Sequence, residues 1–291
     1  MPILELCAGY GGVGLAVESL TGDRVAFVAD NSAAASAVLA ERFSVPNLGD
    51  ISTADWGSVA ESVNVLTAGF PCQDISTAGR GAGIHGERSG VWKYVVAAIC
   101  RVRPEFVFLE NVAAIRRRGL DVVLGDLAAS GYDAAWCCLR ASAIGAPHQR
   151  DRWFCVARLS DSGHRSKPQW ARTPRGQSGE RPAIGGEPRR GGEKFADLYS
   201  PSGWWGDRAD RIRTWEKVTG FPAPRPTVLD HRGRLLLAPE FTEWLMGLAP
   251  RWVTGIPGLT RTEQLHIIGN GVVPLQARTA YAHLLKTLGD A

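Results

Sequence analysis

The first 160 residues alternate between two patterns of apolar positions. Short apolar runs bounded by turn residues predict strands at residues 2–6, 24–29, 63–66, 106–109, 132–139 and 153–157. Helical spacing of apolar residues predicts helices at residues 15–20, 32–42, 91–103 and 120–129. Strands that alternate with helices predict an α/β fold, built on a mostly parallel, doubly wound sheet that helices cover on both faces.

The pattern breaks after residue 159. Residues 160–194 are rich in Gly, Pro, Ser and Arg and have few aliphatic side chains, so this stretch cannot bury a core and is predicted to be a surface insertion. Further on, apolar spacing predicts helices around residues 205–218, 239–247 and 274–288. We therefore divide the chain into residues 1–158, an insertion at 159–234 and a return to the first domain at 235–291.

Charge is concentrated in the same insertion. The whole chain has a formal net charge of +4, and residues 158–234 carry 16 Lys and Arg against 9 Asp and Glu. Such a segment is suited to a polyanion, and a solvated basic linker explains it equally well.

Composition excludes several other classes of protein. No apolar run approaches the roughly 18 residues that a membrane span needs, and residues 1–5 lack a basic segment followed by an apolar one. The six cysteines show no C-x-x-C pairing and no ligand spacing, so neither a metal site nor a disulfide framework is expected. We expect an intracellular protein without a membrane partner.

A glycine-rich turn follows the first predicted strand. Gly9, Gly11 and Gly14 have G-x-G-x-x-G spacing, and Asp30 ends the second strand, where an acid can bind ribose hydroxyls. Glycines let the backbone approach a ligand closely, and the helix that follows offers unpaired N–H groups. This arrangement predicts a nucleotide-type cofactor and fits a dinucleotide as well as S-adenosylmethionine.

Cys72 follows the third predicted strand, within the stretch Gly69-Phe70-Pro71-Cys72-Gln73-Asp74-Ile75-Ser76. A free cysteine is usually a buried core thiol, but this one is predicted to lie at the ligand-binding edge of the sheet. Glu110 is predicted at the exit of the fourth strand, and Arg150 and Arg152 are predicted to point the same way along an extended segment. The glycine-rich loop that continues to Gly90 is long, as functional loops are.

Four ordered blocks of sequence resemble the DNA (cytosine-5) methyltransferases. They are Gly69-Phe70-Pro71-Cys72-Gln73, Glu110-Asn111-Val112, Gln149-Arg150-Asp151-Arg152 and Gly269-Asn270-Gly271-Val272-Val273. The resemblance implies a Rossmann-like class I methyltransferase domain that transfers a methyl group from S-adenosylmethionine to carbon 5 of a flipped-out cytosine in a specific DNA sequence. It also implies that the insertion recognises the target and that residues 235–291 complete the cofactor pocket.

The resemblance assigns roles to individual residues. Cys72 would add to carbon 6 of the base as a thiolate, because carbon 5 is too weak a nucleophile without this activation. Glu110 would bind N3, Arg152 the base carbonyl, and Arg150 would lie near the thiol and the carboxylate. The implied cofactor-binding residues are Cys7, Ala8, Gly9, Tyr10, Gly11, Gly12, Asp30, Asn31, Asp50, Ile51, Pro71, Asn270 and Val272. The implied DNA-binding residues are Gln73, Ser76 and Arg80.

The same resemblance implies the partners and the setting. We expect double-stranded DNA as the partner of a monomeric enzyme, in the cytoplasm or nucleoid of a prokaryotic or phage-infected cell, with an associated restriction endonuclease as an open alternative. Cys7 departs from the family pattern, because the family commonly has phenylalanine there, and Asn31 stands where an aromatic residue is often found. Two alternatives are expected: weaker cofactor affinity, or compensation for the missing adenine stacking by Tyr10 or Trp92.

Three other functions are kept as alternatives. A tRNA cytosine methyltransferase would use the same catalytic blocks, and a non-catalytic DNA-binding relative would keep the same fold. A nicotinamide-dependent oxidoreductase fits the glycine turn and Asp30, but it leaves Cys72, Glu110 and the two arginines unexplained.

Overall fold

The computed structural model describes residues 1–70, 90–160 and 202–289. Its centre is a six-stranded sheet in the order β2-β1-β3-β4-β6-β5. The strands are β1 (Pro2–Leu6), β2 (Arg24–Ala29), β3 (Val65–Gly69), β4 (Phe106–Val112), β5 (Tyr132–Arg140) and β6 (Asp151–Leu159). Strands β1 to β4 are parallel, and β6 alone runs antiparallel to its two neighbours β4 and β5. The prediction of a mostly parallel sheet is confirmed.

The described helices follow the predicted alternation in the first half of the chain. They are α1 (Gly12–Thr21), α2 (Ala33–Phe43), α3 (Val91–Val102), α4 (Ile115–Arg118), α5 (Leu120–Ala129), α6 (Ala209–Thr219), α7 (Pro239–Leu245), α8 (Arg261–Asn270) and α9 (Pro274–Gly289). A small hairpin of β7 (Thr227–Leu229) and β8 (Leu235–Leu237) lies between α6 and α7. None of the described helices is both long and apolar enough to cross a membrane.

Both faces of the sheet are covered, as a doubly wound fold requires. Alternate residues of the strands point to opposite faces, so Leu4 and Leu66 join the core beneath α3 and α5, whereas Ile3 and Phe108 join the core beneath α1 and α9. Helix α9 packs on the sheet through Tyr281, whose ring lies edge-on to Phe108 at 5.0 Å between centroids. The end of the chain is thereby fixed against the central strands.

A third core cluster joins the end of the insertion to the C-terminal helices. The indole of Trp215 in α6 is fully buried and donates a hydrogen bond to the Trp244 carbonyl oxygen at 2.9 Å. Trp244 in turn donates to the carbonyl oxygen of Phe221 at 3.0 Å. The described part of segment 159–234 therefore shares its core with segment 235–291, and the boundary between the two remains a prediction.

Several elements differ from their predicted bounds. Strand β3 begins at Val65, two residues later than predicted, and β4 continues past Leu109 to Val112 because β6 pairs with it along its whole length, up to Val112 opposite Arg152. Helix α8 and the β7–β8 hairpin were not predicted. Helix α8 has few buried apolar residues, and its start is marked by a capping box instead, in which Thr260 and Glu263 bond each other's backbone N–H groups.

Candidate active site

A cavity of about 640 Å³ lies at the carboxyl ends of β1, β2, β3 and β4. This edge is where open α/β sheets bind their ligands. Its wall contains twelve of the residues predicted from sequence: Cys7, Ala8, Gly9, Gly12, Asp30, Asn31, Asp50, Ile51, Glu110, Arg152, Asn270 and Val272. Residues some 260 positions apart in the chain are thus brought together around one space.

Other predicted site residues are placed differently. Tyr10 and Gly11 lie next to cavity-lining residues in the sequence, and Arg150 lies two residues before Arg152, but none of the three lines the cavity. The predicted residues Pro71, Cys72, Gln73, Ser76 and Arg80, and the loop that contains them, lie outside the described residues.

The turn after β1 adopts a backbone that favours glycine. Gly9 and Gly11 have φ values of 57° and 83°, in the left-handed region, and Gly11 forms the N-cap of α1. Gly9 donates its backbone N–H to one carboxylate oxygen of Asp30 at 2.9 Å, and Ser32 donates its N–H to the other at 2.9 Å. Asp30 therefore ties the glycine turn to the beginning of α2, at the cavity wall.

A second acid faces the cavity next to Asp30. Asp50 accepts a hydrogen bond from the side-chain amide of Asn31 at 2.9 Å and another from the backbone N–H of Ser52 at 2.8 Å. These hydrogen bonds, led by the one from Ser52, lower the pKa of Asp50 below its usual value. Asn31, which stands where the family often has an aromatic residue, here orients an ionised acceptor of hydrogen bonds.

The structure corrects the expectation that Tyr10 or Trp92 supplies the missing aromatic surface. Tyr10 is fully buried and its hydroxyl donates to the carbonyl oxygen of Val272 beneath the cavity. Trp92 is also buried, and its indole N–H donates to Asp126 at 2.8 Å. The hydrogen bond of the Tyr10 hydroxyl holds its ring away from the cavity, and packing in the core does the same for Trp92.

The cavity has aromatic and imidazole residues that were not predicted as site residues. Phe70, Tyr94 and His266 line it, and the side-chain amide of Asn270 lies 3.0 Å from Nε2 of His266. Phe70 directly precedes the Pro71-Cys72 pair, which is a signal that sequence reasoning could have used. Tyr94 and His266 carry no comparable signal, because the fold alone brings α3 and α8 to this edge.

Glu110 and Arg152 form a buried ion pair at the wall of the cavity. Arg152 Nε lies 2.9 Å from Glu110 Oε1, and 7% of Glu110 is exposed. Gly69 lies opposite Glu110 in the β3–β4 register, and a Cβ on Gly69 would come within 3.4 Å of Glu110 Oε2. Burial raises the pKa of Glu110, and the charges of Arg152 and Arg150 oppose that rise.

Arg150 departs from the predicted extended geometry. Its φ is 26°, a backbone conformation that residues other than glycine rarely adopt. Arg150 precedes β6, so it does not alternate with Arg152 along one strand. The Arg150 guanidinium donates hydrogen bonds to the carbonyl oxygen of Gly269 at 2.9 Å and to that of Gly271. It therefore connects the Glu110 region to the C-terminal segment that closes the cavity.

Asn111 links β4 to the end of β3. Its side-chain amide is 2% exposed and donates to the carbonyl oxygen of Phe70 at 3.1 Å, while its own oxygen accepts the N–H of Val112 at 2.8 Å. This bond fixes the last described residue before Pro71 and Cys72. Asn111 therefore positions the point from which the predicted nucleophile segment departs.

Glu5 is a buried cavity residue that sequence reasoning did not single out. Its side chain accepts the backbone N–H of Val13 at 3.1 Å, at the first turn of α1. Burial raises its pKa to about 8, against the lowering effect of the backbone N–H groups of Gly14 and Val13. The Glu5 carboxyl is therefore largely protonated at neutral pH. Its hydrogen bond to Val13 stabilises the start of α1, directly after the glycine turn.

The chain matches known proteins along most of its length. Residues 1–186 match the family model described as C-5 cytosine-specific DNA methylase. The type II methyltransferase M.CviJI of Paramecium bursaria Chlorella virus IL3A is 35% identical over 159 residues, which are 54% of this chain and 43% of that protein. M2.BsuMI of Bacillus subtilis (strain 168) is 26% identical over an alignment of 273 residues, which covers 80% of this chain and 68% of that protein.

Solved structures share the fold. The S. pombe Dnmt2 methyltransferase superposes with a TM-score of 0.63 over 99% of both chains at 17% identity, and the Entamoeba histolytica methyltransferase EhMeth with a TM-score of 0.62 over 96% of both chains at 15% identity. The match to M.CviJI spans less than half of that relative's length. With the family model matched over 186 of 291 residues, the chain belongs to the C-5 cytosine-specific DNA methylase family.

Proposed function

We propose that this protein transfers a methyl group from S-adenosylmethionine to carbon 5 of a cytosine that is flipped out of duplex DNA. The reaction would proceed through a covalent adduct between Cys72 and carbon 6 of the base. The single observation that carries this proposal is the buried Glu110–Arg152 pair, because it shares one cavity wall with the glycine turn and with Asp30 and Asp50.

The cavity suits S-adenosylmethionine in size and chemistry. About 640 Å³ is a normal volume for a small-molecule site. Asp30 and Asp50 offer carboxylate oxygens for ribose hydroxyls, and the turn at Gly9 allows close approach of a ligand to the backbone. Ile51, Phe70 and Val272 supply apolar surface for a purine ring, and the chemistry contributed by the bound cofactor is an electrophilic methyl group.

The remaining chemistry falls to residues of this chain. The thiolate of Cys72 bonds to carbon 6, and the electron pair of the 5,6 double bond moves toward carbon 5 and N3. Carbon 5 would then take up the methyl group that bound S-adenosylmethionine supplies, with the methyl–sulfur bond broken and its electron pair left on sulfur. Loss of the carbon 5 proton returns an electron pair to the ring and expels the thiolate.

Glu110 is suited to N3 because burial raises its pKa and so makes the carboxyl easier to protonate beside the base. A neutral carboxyl donates a hydrogen bond to N3 and accepts one from the exocyclic amine of cytosine, so it recognises the base and stabilises the activated ring. Arg152, which also reaches the cavity, orients the Glu110 carboxyl and offers N–H groups to the base carbonyl. Removal of the cytosine from the base stack costs a few kcal/mol, which contacts to DNA must supply.

The test is a methyl-transfer assay with two acceptors, unmethylated genomic DNA and total tRNA. We expect 5-methyldeoxycytidine in the DNA, detected by nucleoside mass spectrometry, and none with Cys72→Ser. Bisulfite sequencing of the product would then give the target sequence. Methylation of tRNA alone would contradict the DNA substrate and favour a tRNA cytosine methyltransferase. Binding of NAD without binding of S-adenosylmethionine would contradict both functions.

A further inference from the structure

Three consecutive arginines lie on the short helix α4, directly after β4. Arg116, Arg117 and Arg118 are all exposed, although successive helical residues point about 100° apart. The preceding residue, Ile115, is fully buried in the core, so it fixes this turn on the body of the protein. The helical turn that carries the arginines is therefore packed against the core.

The position of α4 follows from its place in the chain. Only Ala113 and Ala114 separate α4 from Val112, so α4 lies at the carboxyl end of β4. Arg140 is the last residue of β5 and is exposed. Because β4 and β5 point the same way, these four arginines, which we name the arginine patch, lie at the edge of the sheet that holds the cavity.

Acidic residues only partly offset the arginine patch. Arg140 Nε lies 3.8 Å from Asp151, a long contact between partly exposed groups, which is worth little in water. Asp121 is exposed one turn beyond α4. Among the described residues, the exposed side chains of Arg116, Arg117 and Arg140 outnumber these two carboxylates, so this edge is positive apart from the basic insertion.

The patch lies within a few phosphates of a base held in the cavity. Val112 lines the cavity and lies four residues before Arg116, so their Cα atoms are at most about 14 Å apart. A DNA strand carries one phosphate per about 3.4 Å of helix axis. About four phosphates therefore fall within that distance on the strand that carries the flipped base.

We propose that the arginine patch binds backbone phosphates of duplex DNA next to the target cytosine. This inference rests on the proposed function. Arginine suits the role because its planar fork of N–H donors matches phosphate oxygens. Such contacts position the duplex and carry no sequence information, which separates this patch from the sequence reading expected of segment 159–234.

The test neutralises the three arginines of α4 with a matched control. The variant Arg116→Gln/Arg117→Gln/Arg118→Gln is compared with Arg24→Gln/Arg101→Gln/Lys286→Gln, which removes three exposed charges at the opposite edge of the sheet. A lysine triple at positions 116, 117 and 118 retains the charge. Fluorescence anisotropy measures DNA affinity over a range of salt concentrations, and melting temperature checks folding.

We expect the glutamine triple to reduce the slope of log affinity against log salt by about 2 to 3, since each lost phosphate contact removes about 0.9. The KM for DNA should rise at least about tenfold, with kcat and the KM for S-adenosylmethionine little changed. The control triple should leave the slope near wild type, and the lysine triple should retain most of it.

Equal slopes for the glutamine triple and the control would overturn this inference, while methylation of DNA by the wild type would leave the proposed function intact. A wild type that neither methylates DNA nor binds it in a salt-dependent manner would overturn the proposed function and this inference together.

Discussion

Two buried carboxyl groups line the same cavity, one at the end of β1 and one at the end of β4. Glu5 is 1% exposed and Glu110 is 7% exposed, so both have lost most of their hydration. Glu5 accepts the backbone N–H of Val13, and burial raises its pKa to about 8, with Glu18 and Asp30 adding to the rise. Glu110 lies against Arg152 and near Arg150, whose charges oppose the effect of burial.

The difference shows that burial alone does not define a chemical role. Burial disfavours the charged form of both carboxyl groups, and among the described residues guanidinium groups oppose that effect at Glu110 and not at Glu5. In the proposed reaction Glu110 would therefore exchange a proton with the base, whereas Glu5 supports the turn that begins α1. Three changes separate these two carboxyl groups experimentally.

The largest effect is expected from Glu110→Gln. The amide keeps the shape of the side chain but cannot protonate N3, so kcat should fall by about 10²- to 10⁴-fold. The matched variant Glu5→Gln should keep kcat within about tenfold of wild type, because an amide oxygen still accepts the N–H of Val13. Steady-state methylation kinetics measure both, and equal losses in the two variants would erase the proposed distinction.

Arg152→Ala should have the next largest effect, on stability. Removal of the guanidinium leaves Glu110 buried without its ion-pair partner, which should lower the free energy of unfolding by about 3 kcal/mol at neutral pH. Urea unfolding measures this change. The double variant Arg152→Ala/Glu110→Gln should recover much of the loss, and a double variant no more stable than the single one would show that the pair is not responsible.

The smallest effect is the pH dependence that Glu5 contributes. Its pKa is about 8 in the folded protein and near 4.5 when unfolded, so the folded state alone holds the proton between these values. The free energy of unfolding should therefore decrease as pH rises through this window, by up to about 1.4 kcal/mol per pH unit from this group. Above about pH 8 the contribution becomes flat.

Glu5→Gln should make that decrease shallower, as urea unfolding at several pH values would show. Part of the slope should persist, because burial also raises the pKa of Glu110 and of Glu243. A slope identical to wild type would mean that Glu5 does not hold its proton in the folded state.

Much of the fold could be predicted because it depends on local apolar patterns. The bounds of β1, β2 and α5 agree with the predicted ranges, and Ser32 caps α2 as expected, accepting the N–H of Ala35 at 3.3 Å. Elements set by distant partners were missed. The end of β4 depends on pairing with β6, and α8 is marked by its cap because its apolar pattern is weak.

The residue types of the candidate site could be predicted from the sequence, but the contacts between these residues could not. The blocks containing Glu110, Arg152 and Asn270 were recognisable, and the structure brings all three to one cavity. The positive φ of Arg150 has no sequence signal, because only tertiary contacts with the carbonyl oxygens of 269 and 271 hold it there. The burial of Tyr10 likewise depends on Val272, far along the chain.

The most direct measurement of the central claim is covalent trapping on a duplex in which 5-fluorocytosine replaces every cytosine, so that the target sequence need not be known. Fluorine at carbon 5 blocks the final loss of a proton, so wild-type protein with S-adenosylmethionine should form a complex that survives denaturing electrophoresis. Cys72→Ser should form none, and Glu110→Gln should form it slowly. A wild type that methylates DNA but yields no such complex, or a Cys72→Ser variant that yields as much, would contradict the account.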